Sequence, residues 1–325
     1  MKIAIDAMGG DHAPHATVAG VLLAAREFPD TEFVLVGDEQ QIRAQASTLP
    51  GNVLVVHASE VIAPGAEPVK SVRRQKDSSL VVCTNLVRSG EADAMVSAGN
   101  TGAFMVAGLL VVGRMEGIDR PALAAMLPTF TGKGLLLIDA GANTDCTPDN
   151  LLQFAKMGQA YLRLTLGVEP ARVGLLNIGT EESKGNELVK SAFPLLEAGV
   201  PHFQGNVEAR EVLTGVCDVL VCDGFVGNTL LKFYEGAGSG LMESLRSVFT
   251  SSWLGKLAAL SVRPGLRTFK KRFDYAEHGG SPFLGVKGIL VKAHGASNAH
   301  AFHMALRQAR TMGVAGLIAA LEREL

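Results

Sequence analysis

The chain has 325 residues, of which 47% are hydrophobic and 19% are charged, so it is neither disordered nor fibrous. That length suits one large α/β unit, or two lobes that share a sheet, with enough residues for a sizeable core. The formal net charge of -2 excludes a general nucleic-acid binder, because such proteins are basic. Glycine accounts for 37 residues, above the usual share of about 7%, which favours a site built from loops.

Cysteine spacing and apolar runs indicate the compartment. The four cysteines, at positions 83, 146, 217 and 222, have neither metal-ligand spacing nor the pattern of a small secreted framework, which indicates a reduced, intracellular protein. Residues 1–10 have too short an apolar run for a signal peptide. Residues 104–113 are apolar but only about half as long as a membrane span. The sequence therefore predicts a cytoplasmic protein, and no motif in it calls for a metal or a cofactor.

Apolar strands alternate with helical patterns along most of the chain. This alternation predicts a mostly parallel sheet covered by helices, a three-layer α/β/α fold. We predict strands at residues 2–5, 32–36, 53–56, 94–96, 135–138, 173–176, 219–222 and 289–293. We predict helices at residues 17–26, 67–87, 151–166 and 187–198, with a further helix that begins at residue 103.

Five of the predicted strands run into loops of glycine and small polar residues. These loops cover residues 97–103, 139–144, 177–185, 223–229 and 294–298. Glycine permits tight bends and the close approach of a ligand to the main chain, and helix N-termini favour anions. The carboxyl ends of parallel strands meet at one edge of a sheet, where open α/β folds bind their ligands. We therefore predict that the five loops converge on one anion-binding cleft.

Two other polar stretches each have competing interpretations. The loop at residues 6–14 contains acids and His12, but Asp11 and His12 are adjacent and adjacent side chains rarely converge on one ion. A ligand-binding or structural loop is therefore favoured there over a metal site. Arg73, Arg74 and Lys76 form either a solvated basic face or a contact for an acidic partner or a phosphate.

Residues 241–273 differ from the rest of the chain in composition. They carry seven basic residues against one acid, together with the only tryptophan, and their apolar residues have helical spacing. This composition predicts a protruding helical hairpin, which either lies on an anionic membrane surface or packs against the core or a dimer interface. Membrane binding and dimer packing both hold if the dimer presents the tip of the hairpin to lipid. We assign residues 236–275 to this segment, and the predicted membrane contacts are Val248, Phe249, Trp253, Leu254, Leu257, Lys270 and Lys271.

Several of these motifs together resemble the bacterial phosphate acyltransferase family, called PlsX. The matching stretches are MKIAIDAMGGDHAP at 1–14, SAGNTGA at 97–103, DAGANTDCTP at 139–148, NIGTEESKGNE at 177–187, CDGFVGNTLLK at 222–232 and HGASNAHAF at 294–302. Residues 209–211 and Thr229 depart from the family pattern, which leaves fine substrate preference open. The resemblance extends from the first residue almost to the last.

The resemblance implies an enzyme that transfers the acyl chain of acyl carrier protein to inorganic phosphate. The resulting acyl phosphate would feed phospholipid synthesis through a membrane-bound acyl phosphate:glycerol-3-phosphate acyltransferase. The family resemblance also implies a homodimer that associates peripherally with the membrane. The implied fold is related to those of phosphotransacetylases and isopropylmalate dehydrogenases.

The implied reaction needs groups that hold phosphate and stabilise an oxyanion at a thioester carbonyl. We predict that Lys184 supplies the fixed positive charge, with an exposed structural lysine as the alternative. His294 and Asn228 are the other predicted catalytic residues, although His294 also fits a structural histidine. The predicted substrate-binding residues are Asp6, Gly99, Asn100, Thr101, Asp139, Asn143, Thr144, Asn177, Gly179, Thr180, Asp223, Gly224 and Ser297.

Three of the candidate side chains have alternative roles. Asp139 and Asp223 are carboxylates, so beside phosphate they either orient donors or hold their loops by accepting backbone N–H bonds. Cys146 is disfavoured as an acyl-carrying nucleophile, because no activating base is adjacent in the sequence.

Three rival functions remain to be tested against the acyl carrier protein reaction. The first is a phosphotransacetylase that uses acyl-CoA. The second is an NAD-dependent decarboxylating dehydrogenase, which the chain disfavours because no G-x-G-x-x-G follows its first strand and no acid cluster is set up for a divalent metal. The third is a non-catalytic membrane-surface scaffold for lipid synthesis, which rests only on residues 241–273.

Overall fold

The computed structural model describes residues 1–253, 262, 265, 269 and 279–324. The predictions for Leu254, Leu257, Lys270 and Lys271 lie outside these residues. The strands are β1 (Lys2–Asp6), β2 (Glu32–Gly37), β3 (Val53–His57), β4 (Ala94–Ser97), β5 (Ala122–Leu127), β6 (Leu135–Ile138), β7 (Val173–Asn177), β8 (Phe203–Glu208), β9 (Val219–Val221), β10 (Ser281–Leu284) and β11 (Ile289–Lys292).

Helices flank this sheet and connect most of its strands. The α-helices are α1 (His15–Glu27), α2 (Glu39–Ala44), α3 (Pro68–Arg74), α4 (Ser79–Arg88), α5 (Thr101–Ala107), α6 (Pro148–Leu166), α7 (Glu187–Gly199), α8 (Gly224–Thr250), α9 (Ala299–Val314) and α10 (Leu317–Glu324). A π-helical turn (Gly108–Val112) follows α5, and a 3-10 helix (Ala209–Thr214) follows β8. No α-helix of the described residues combines the length and the apolar character that a bilayer crossing requires.

The strands form one 11-stranded sheet in the order β3-β2-β1-β4-β11-β10-β5-β6-β9-β7-β8. Most neighbours pair in parallel, which confirms the predicted mostly parallel α/β fold. Three consecutive pairs, β11–β10, β10–β5 and β5–β6, are antiparallel. Because three reversals separate the two parallel blocks, strands β6, β9, β7 and β8 run opposite to strands β3, β2, β1, β4 and β11.

This reversal corrects the expectation of one common carboxyl edge. The loops that follow β4 and β11 belong to one block, whereas the loops that follow β6, β7 and β9 belong to the other. The antiparallel strands β10 and β5 join the blocks. The carboxyl end of β6 returns to the start of β5, where the N–H of Ala140 donates to the carbonyl of Leu123 at 2.7 Å. Loops from both blocks can therefore meet only at this junction.

The interior of the sheet explains why the apolar runs form strands. All residues of β4, β6 and β7 are buried, as expected for parallel strands covered by helices on both faces. The long helix α6 begins with a capping box between Thr147 and Asn150 and ends at Gly167, whose φ of 65° is the left-handed conformation that glycine tolerates.

The structure corrects one local prediction and contains three strands that were not predicted. The helical pattern at residues 67–87 is two helices, α3 and α4, because the chain leaves helical geometry at Gln75 and the N–H of Ser79 then donates to the carbonyl of Glu60. Strands β5, β8 and β10 were not predicted. The sequence of β5, ALAAML, has residues that favour helices, but pairing with β10 and β6 overrides that preference.

Candidate active site

A cavity of about 460 Å³ lies across the junction between β10 and β5. Four of the five glycine-bearing loops contribute to its lining, through Thr101, Gly141, Asn228 and His294. The fifth loop, at residues 177–185, contributes none of the lining. The structure thus brings three of the predicted site residues together at one cavity.

The lining of the cavity is part polar and part aliphatic. The polar and charged side chains are Thr101, Asn228, Lys232, Glu235, Ser281, Lys292 and His294. The aliphatic side chains, from α5, β5 and α8, are Met105, Leu123, Ala125, Met126 and Leu231. The cavity therefore offers positive charge and hydrogen-bond donors beside an apolar surface.

His294 follows β11 and has a defined tautomer when it is neutral. Its Nδ1 accepts a hydrogen bond from the backbone N–H of Ala296 at 3.1 Å, which leaves the proton of the neutral ring on Nε2. Burial lowers the pKa of His294; Glu235 opposes this effect and Lys232 adds to it. At neutral pH the imidazole is therefore uncharged and is a donor through Nε2.

The loop after β6 is folded around the buried carboxylate of Asp139. That carboxylate accepts hydrogen bonds from the backbone N–H groups of Leu123 at 3.1 Å, Gly141 at 3.0 Å, Ala142 at 2.9 Å and Asn143 at 2.7 Å. The side-chain amide of Asn143 adds a fifth at 2.8 Å. Burial raises the pKa of Asp139, and these hydrogen bonds oppose the rise. The contacts support the loop-holding interpretation of Asp139 over direct contact with phosphate.

Helix α8 begins against the same loop. Asp223 caps the helix by accepting the N–H of Val226 at 2.9 Å, so this carboxylate also holds backbone. Gly227 lies so close to the loop that a Cβ there would overlap the carbonyl oxygen of Asp139. Because residue 227 is glycine, the start of α8 can pack directly against this loop. The first turn of the helix then places Asn228 at the cavity.

A second buried carboxylate ties β1 to β4 and α4. Asp6 accepts hydrogen bonds from Ser79 Oγ and Ser97 Oγ, each at 2.6 Å. Ser97 Oγ in turn accepts the N–H of Gly99 at 3.0 Å. Asp6 is therefore placed to shape the loop after β4, and it does not line the cavity.

Many predicted site residues lie outside the cavity lining. These residues are Asp6, Gly99, Asn100, Asp139, Asn143, Thr144, Asn177, Gly179, Thr180, Lys184, Asp223, Gly224 and Ser297. Lys184 is exposed in the loop after β7, and Asn177 holds this loop by donating from Nδ2 to the carbonyl of Lys184 at 3.1 Å. Asn100 caps α5 by accepting the N–H of Ala103 at 2.9 Å. The ligand contacts of these residues stay predictions.

The structure also bears on two alternatives raised by the sequence, a nucleophilic Cys146 and a metal site. Burial raises the pKa of the Cys146 thiol to about 12, with Asp139 and Asp223 adding to the effect, so at neutral pH this group is a thiol. Within the described residues, no group of three or more His, Cys, Asp or Glu side chains is arranged to hold a metal ion.

Sequence reasoning did not single out Lys292 or the serines that bind Asp6. Lys292 closes an apolar strand of sequence ILVK, and a lysine that continues a buried strand directly before a glycine loop is the signal that could have identified it. Ser79 and Ser97 carried no such signal, because they are 73 and 91 residues from Asp6 in the chain.

Comparison with solved structures identifies the fold of this protein. A phosphotransacetylase from Streptococcus pyogenes has a TM-score of 0.62 at 16% identity, over 97% of this chain and 94% of that chain. A branched-chain phosphotransacylase from Enterococcus faecalis has a TM-score of 0.57 at 15% identity, over 96% and 99% of the two chains. The fold is therefore that of the phosphotransacetylases.

Comparison of sequences then identifies the family. The model of a family described as "fatty acid synthesis protein" matches residues 1–320. A phosphate acyltransferase from Brevibacillus brevis is 56% identical over 307 residues, covering 94% of this chain and 92% of that protein. One from Bacillus licheniformis is 50% identical over 325 residues, covering 100% and 98%. The chain belongs to the phosphate acyltransferase family and is an acyltransferase, which confirms the resemblance seen in its motifs.

Proposed function

We propose that this protein transfers an acyl group from acyl carrier protein to inorganic phosphate, forming an acyl phosphate for phospholipid synthesis. The observation that carries this proposal is the mixed lining of the cavity, where Lys292 and His294 accompany aliphatic side chains of β5 and α8. An acyl phosphate has the same two parts, an anionic head and an apolar chain. The cavity of about 460 Å³ is within the usual size of small-molecule sites.

The chemistry follows from the side chains at the cavity. An oxygen of phosphate attacks the thioester carbonyl carbon, a new C–O bond forms, and the C–S bond then breaks as the thiolate leaves. The neutral ring of His294 donates from Nε2 to the oxyanion or to the departing sulfur, and the amide of Asn228 is a second donor. Phosphate itself is the nucleophile, which agrees with the unreactive thiol of Cys146.

The aliphatic lining serves the acyl chain in this proposal. Leu123 and Ala125 are alternate residues of β5, so both point to the same face of the sheet, and Leu231 of α8 also borders the cavity. These side chains would contact the first carbons of the chain and exclude water from the acyl phosphate, whose hydrolysis would waste the product.

The reaction is tested directly with purified protein. Long-chain acyl-acyl carrier protein and phosphate should yield acyl phosphate, trapped as a hydroxamate, in the presence of a chelator and without nucleotide. The same acyl group on CoA is the matched donor. Faster transfer from CoA would favour the phosphotransacetylase alternative, and absolute dependence on Mg²⁺ or NAD would contradict the proposal.

The proposal extends to assembly as a homodimer and to peripheral attachment to an anionic membrane. Large apolar side chains are exposed along and just beyond α8, including Phe233 at 72%, Leu241 at 64%, Val248 at 67% and Trp253 at 70%. A second subunit or lipid would cover such a surface. Each basic residue of segment 241–273 near an anionic membrane contributes about 1 kcal/mol. At the membrane, the product would reach an acyl phosphate:glycerol-3-phosphate acyltransferase.

Vesicle binding tests the membrane role separately from catalysis. The variant with Trp253→Glu and Leu257→Glu should leave anionic vesicles while it still uses soluble acyl-acyl carrier protein. Val314→Glu, at a site that is 69% exposed on α9, is the matched control and should bind as the parent does. If the double variant also binds as the parent does, the segment is a packing or dimer element.

A further inference from the structure

β11 ends in a lysine that lies inside the protein. The strand is central in the sheet, paired with β4 on one side and β10 on the other. The side chain of Lys292 is only 7% exposed, and the three residues before it are buried aliphatic residues. Lys292 also lines the cavity. A buried cation costs free energy unless its charge is paired and its donors are used.

Among the described residues, the ammonium group of Lys292 has more N–H donors than it has acceptors. Its Nζ donates to the backbone carbonyl of Ala293, and no carboxylate oxygen of the described residues lies within 4.0 Å of it. Asp6 attracts the ammonium from a greater distance, but its oxygens already accept the hydroxyls of Ser79 and Ser97. An ammonium has three N–H groups, so two of them remain for a ligand.

The charges around the cavity favour an anion there. Burial lowers the pKa of Lys292 to about 8; Asp6 and Asp11 oppose this effect, and Lys232 adds to it. Lys232 lines the same cavity and forms an ion pair with Glu235 at 2.8 Å. An anion beside Lys292 would pair the buried charge and reduce its repulsion from Lys232.

We propose that Lys292 binds the phosphate in the cavity, an inference that rests on the proposed function. The ammonium donates its two remaining N–H groups to phosphate oxygens. Because His294 and Asn228 line the same cavity, phosphate held there lies near the groups that act on the thioester. Lys292 is then a catalytic residue in direct contact with the acyl acceptor.

The test measures phosphate binding apart from acyl transfer. Binding of inorganic phosphate to the full-length protein is followed by the phosphate-dependent rise in unfolding temperature, and the KM for phosphate is measured in the transfer assay. Lys292→Met has a similar length without the charge and should bind phosphate about 10- to 100-fold more weakly, as expected for a lost charge-assisted hydrogen bond. The KM for the acyl donor should stay within about twofold of the parent value, because only the phosphate contact is removed.

Two further variants complete the experiment. Lys292→Arg keeps a positive charge and should recover part of the phosphate affinity. Lys287→Met removes an exposed lysine from the turn before β11, at the far end of the strand from the cavity, and should bind phosphate as the parent does. Thermal unfolding without phosphate shows whether each variant is folded.

The outcomes separate this inference from the proposed function. Weak phosphate binding by Lys292→Met, with parent-like binding by Lys287→Met, supports the assignment whichever acyl donor the enzyme prefers. Parent-like phosphate affinity in Lys292→Met overturns it, and so does an equal loss in both variants. A fall in kcat with unchanged phosphate affinity also overturns it and assigns Lys292 to the thioester carbonyl instead. A parent protein that binds no phosphate contradicts the proposed function itself.

Discussion

The loops after β6 and β7 have similar sequences but different environments. Each follows a fully buried strand, contains glycine, and begins with an Asp or Asn at the strand end. Asp139 holds the first loop with five N–H donors, and Gly141 of that loop borders the cavity. Asn177 holds the second loop with two hydrogen bonds, and Ile178 there is 81% exposed.

The difference shows that strand order, rather than the loop motif, determines which loops reach the cavity. β6 is next to β5 at the junction of the two blocks, whereas β9 separates β7 from β6. Neighbouring strands are about 4.8 Å apart, so the loop after β7 begins about 10 Å farther from the junction. A glycine-bearing loop therefore predicts a possible ligand contact, and the sheet topology decides whether the contact is available.

The largest expected effect is on the free energy of unfolding, and it comes from replacing the side chain that holds each loop, Asp139 or Asn177. Asp139→Ala should lower the free energy of unfolding by about 4 kcal/mol, because it leaves several buried N–H groups without an acceptor. Asn177→Ala should cost only about 1 kcal/mol, since fewer bonds are lost and its loop is more exposed. Urea unfolding at pH 7 measures both. Equal losses would contradict the contrast between the two loops.

The sequence predicts those features of the fold and the site that depend on neighbouring residues, and it misses those that depend on residues far apart in the chain. Apolar runs and glycine positions predicted most strands and four loops that reach the cavity, but not the loop before β10 that contributes Gly279 and Gly280 to its lining. They did not predict the reversal of strand direction, because it depends on β10 and on the alanine-rich β5, whose pairing is non-local. Lys184 looked like the stronger candidate because it lies in a glycine-bounded loop, but burial of Lys292 depends on what packs around β11.

A second test compares His294, a proposed catalytic residue in the cavity, with a residue of the loop after β7. His294→Asn retains a hydrogen-bond acceptor near the N–H of Ala296 but loses the Nε2 donor, so kcat should fall by about 100-fold. The KM for phosphate should change by less than about twofold, because the proposed role of this donor is at the thioester. Ser183→Ala, at an exposed position of the loop after β7, should leave kcat unchanged. A parent-like kcat in His294→Asn would show that this histidine is structural.

A third test compares the two lysines directly. Lys184→Met should change phosphate affinity by less than about twofold, because the exposed side chain lies outside the cavity lining. Lys292→Met should weaken it by about 10- to 100-fold. Phosphate titrations of the two variants at the same pH and ionic strength give the ratio. The opposite ranking would restore the assignment of the phosphate charge to Lys184, as the sequence first suggested.

The smallest expected effect is a pH dependence of phosphate affinity, which tests the assignment of Lys292 as the phosphate-binding residue. Burial places its pKa at about 8, below the ordinary value of 10.5, and only the protonated form binds an anion well. Phosphate affinity of the parent should therefore fall by about tenfold between pH 7 and pH 9. Lys292→Arg should show a flatter profile, since a guanidinium stays charged throughout this range.

The stability of the phosphate-free protein should follow the opposite trend. Between about pH 8 and pH 10.5 the unfolded chain binds this proton more tightly than the folded protein does, so the contribution of Lys292 to folding stability rises with pH. Asp6, Asp11 and Lys232 act on the same ammonium. If the stability of Lys292→Met depended on pH as that of the parent does, the dependence would not come from Lys292. If phosphate affinity falls between pH 7 and pH 9 while the folded protein stays stable, alkaline unfolding is excluded as the cause of the lost affinity. A phosphate affinity that stays constant from pH 7 to pH 9 in the parent would contradict a titrating lysine at the phosphate site.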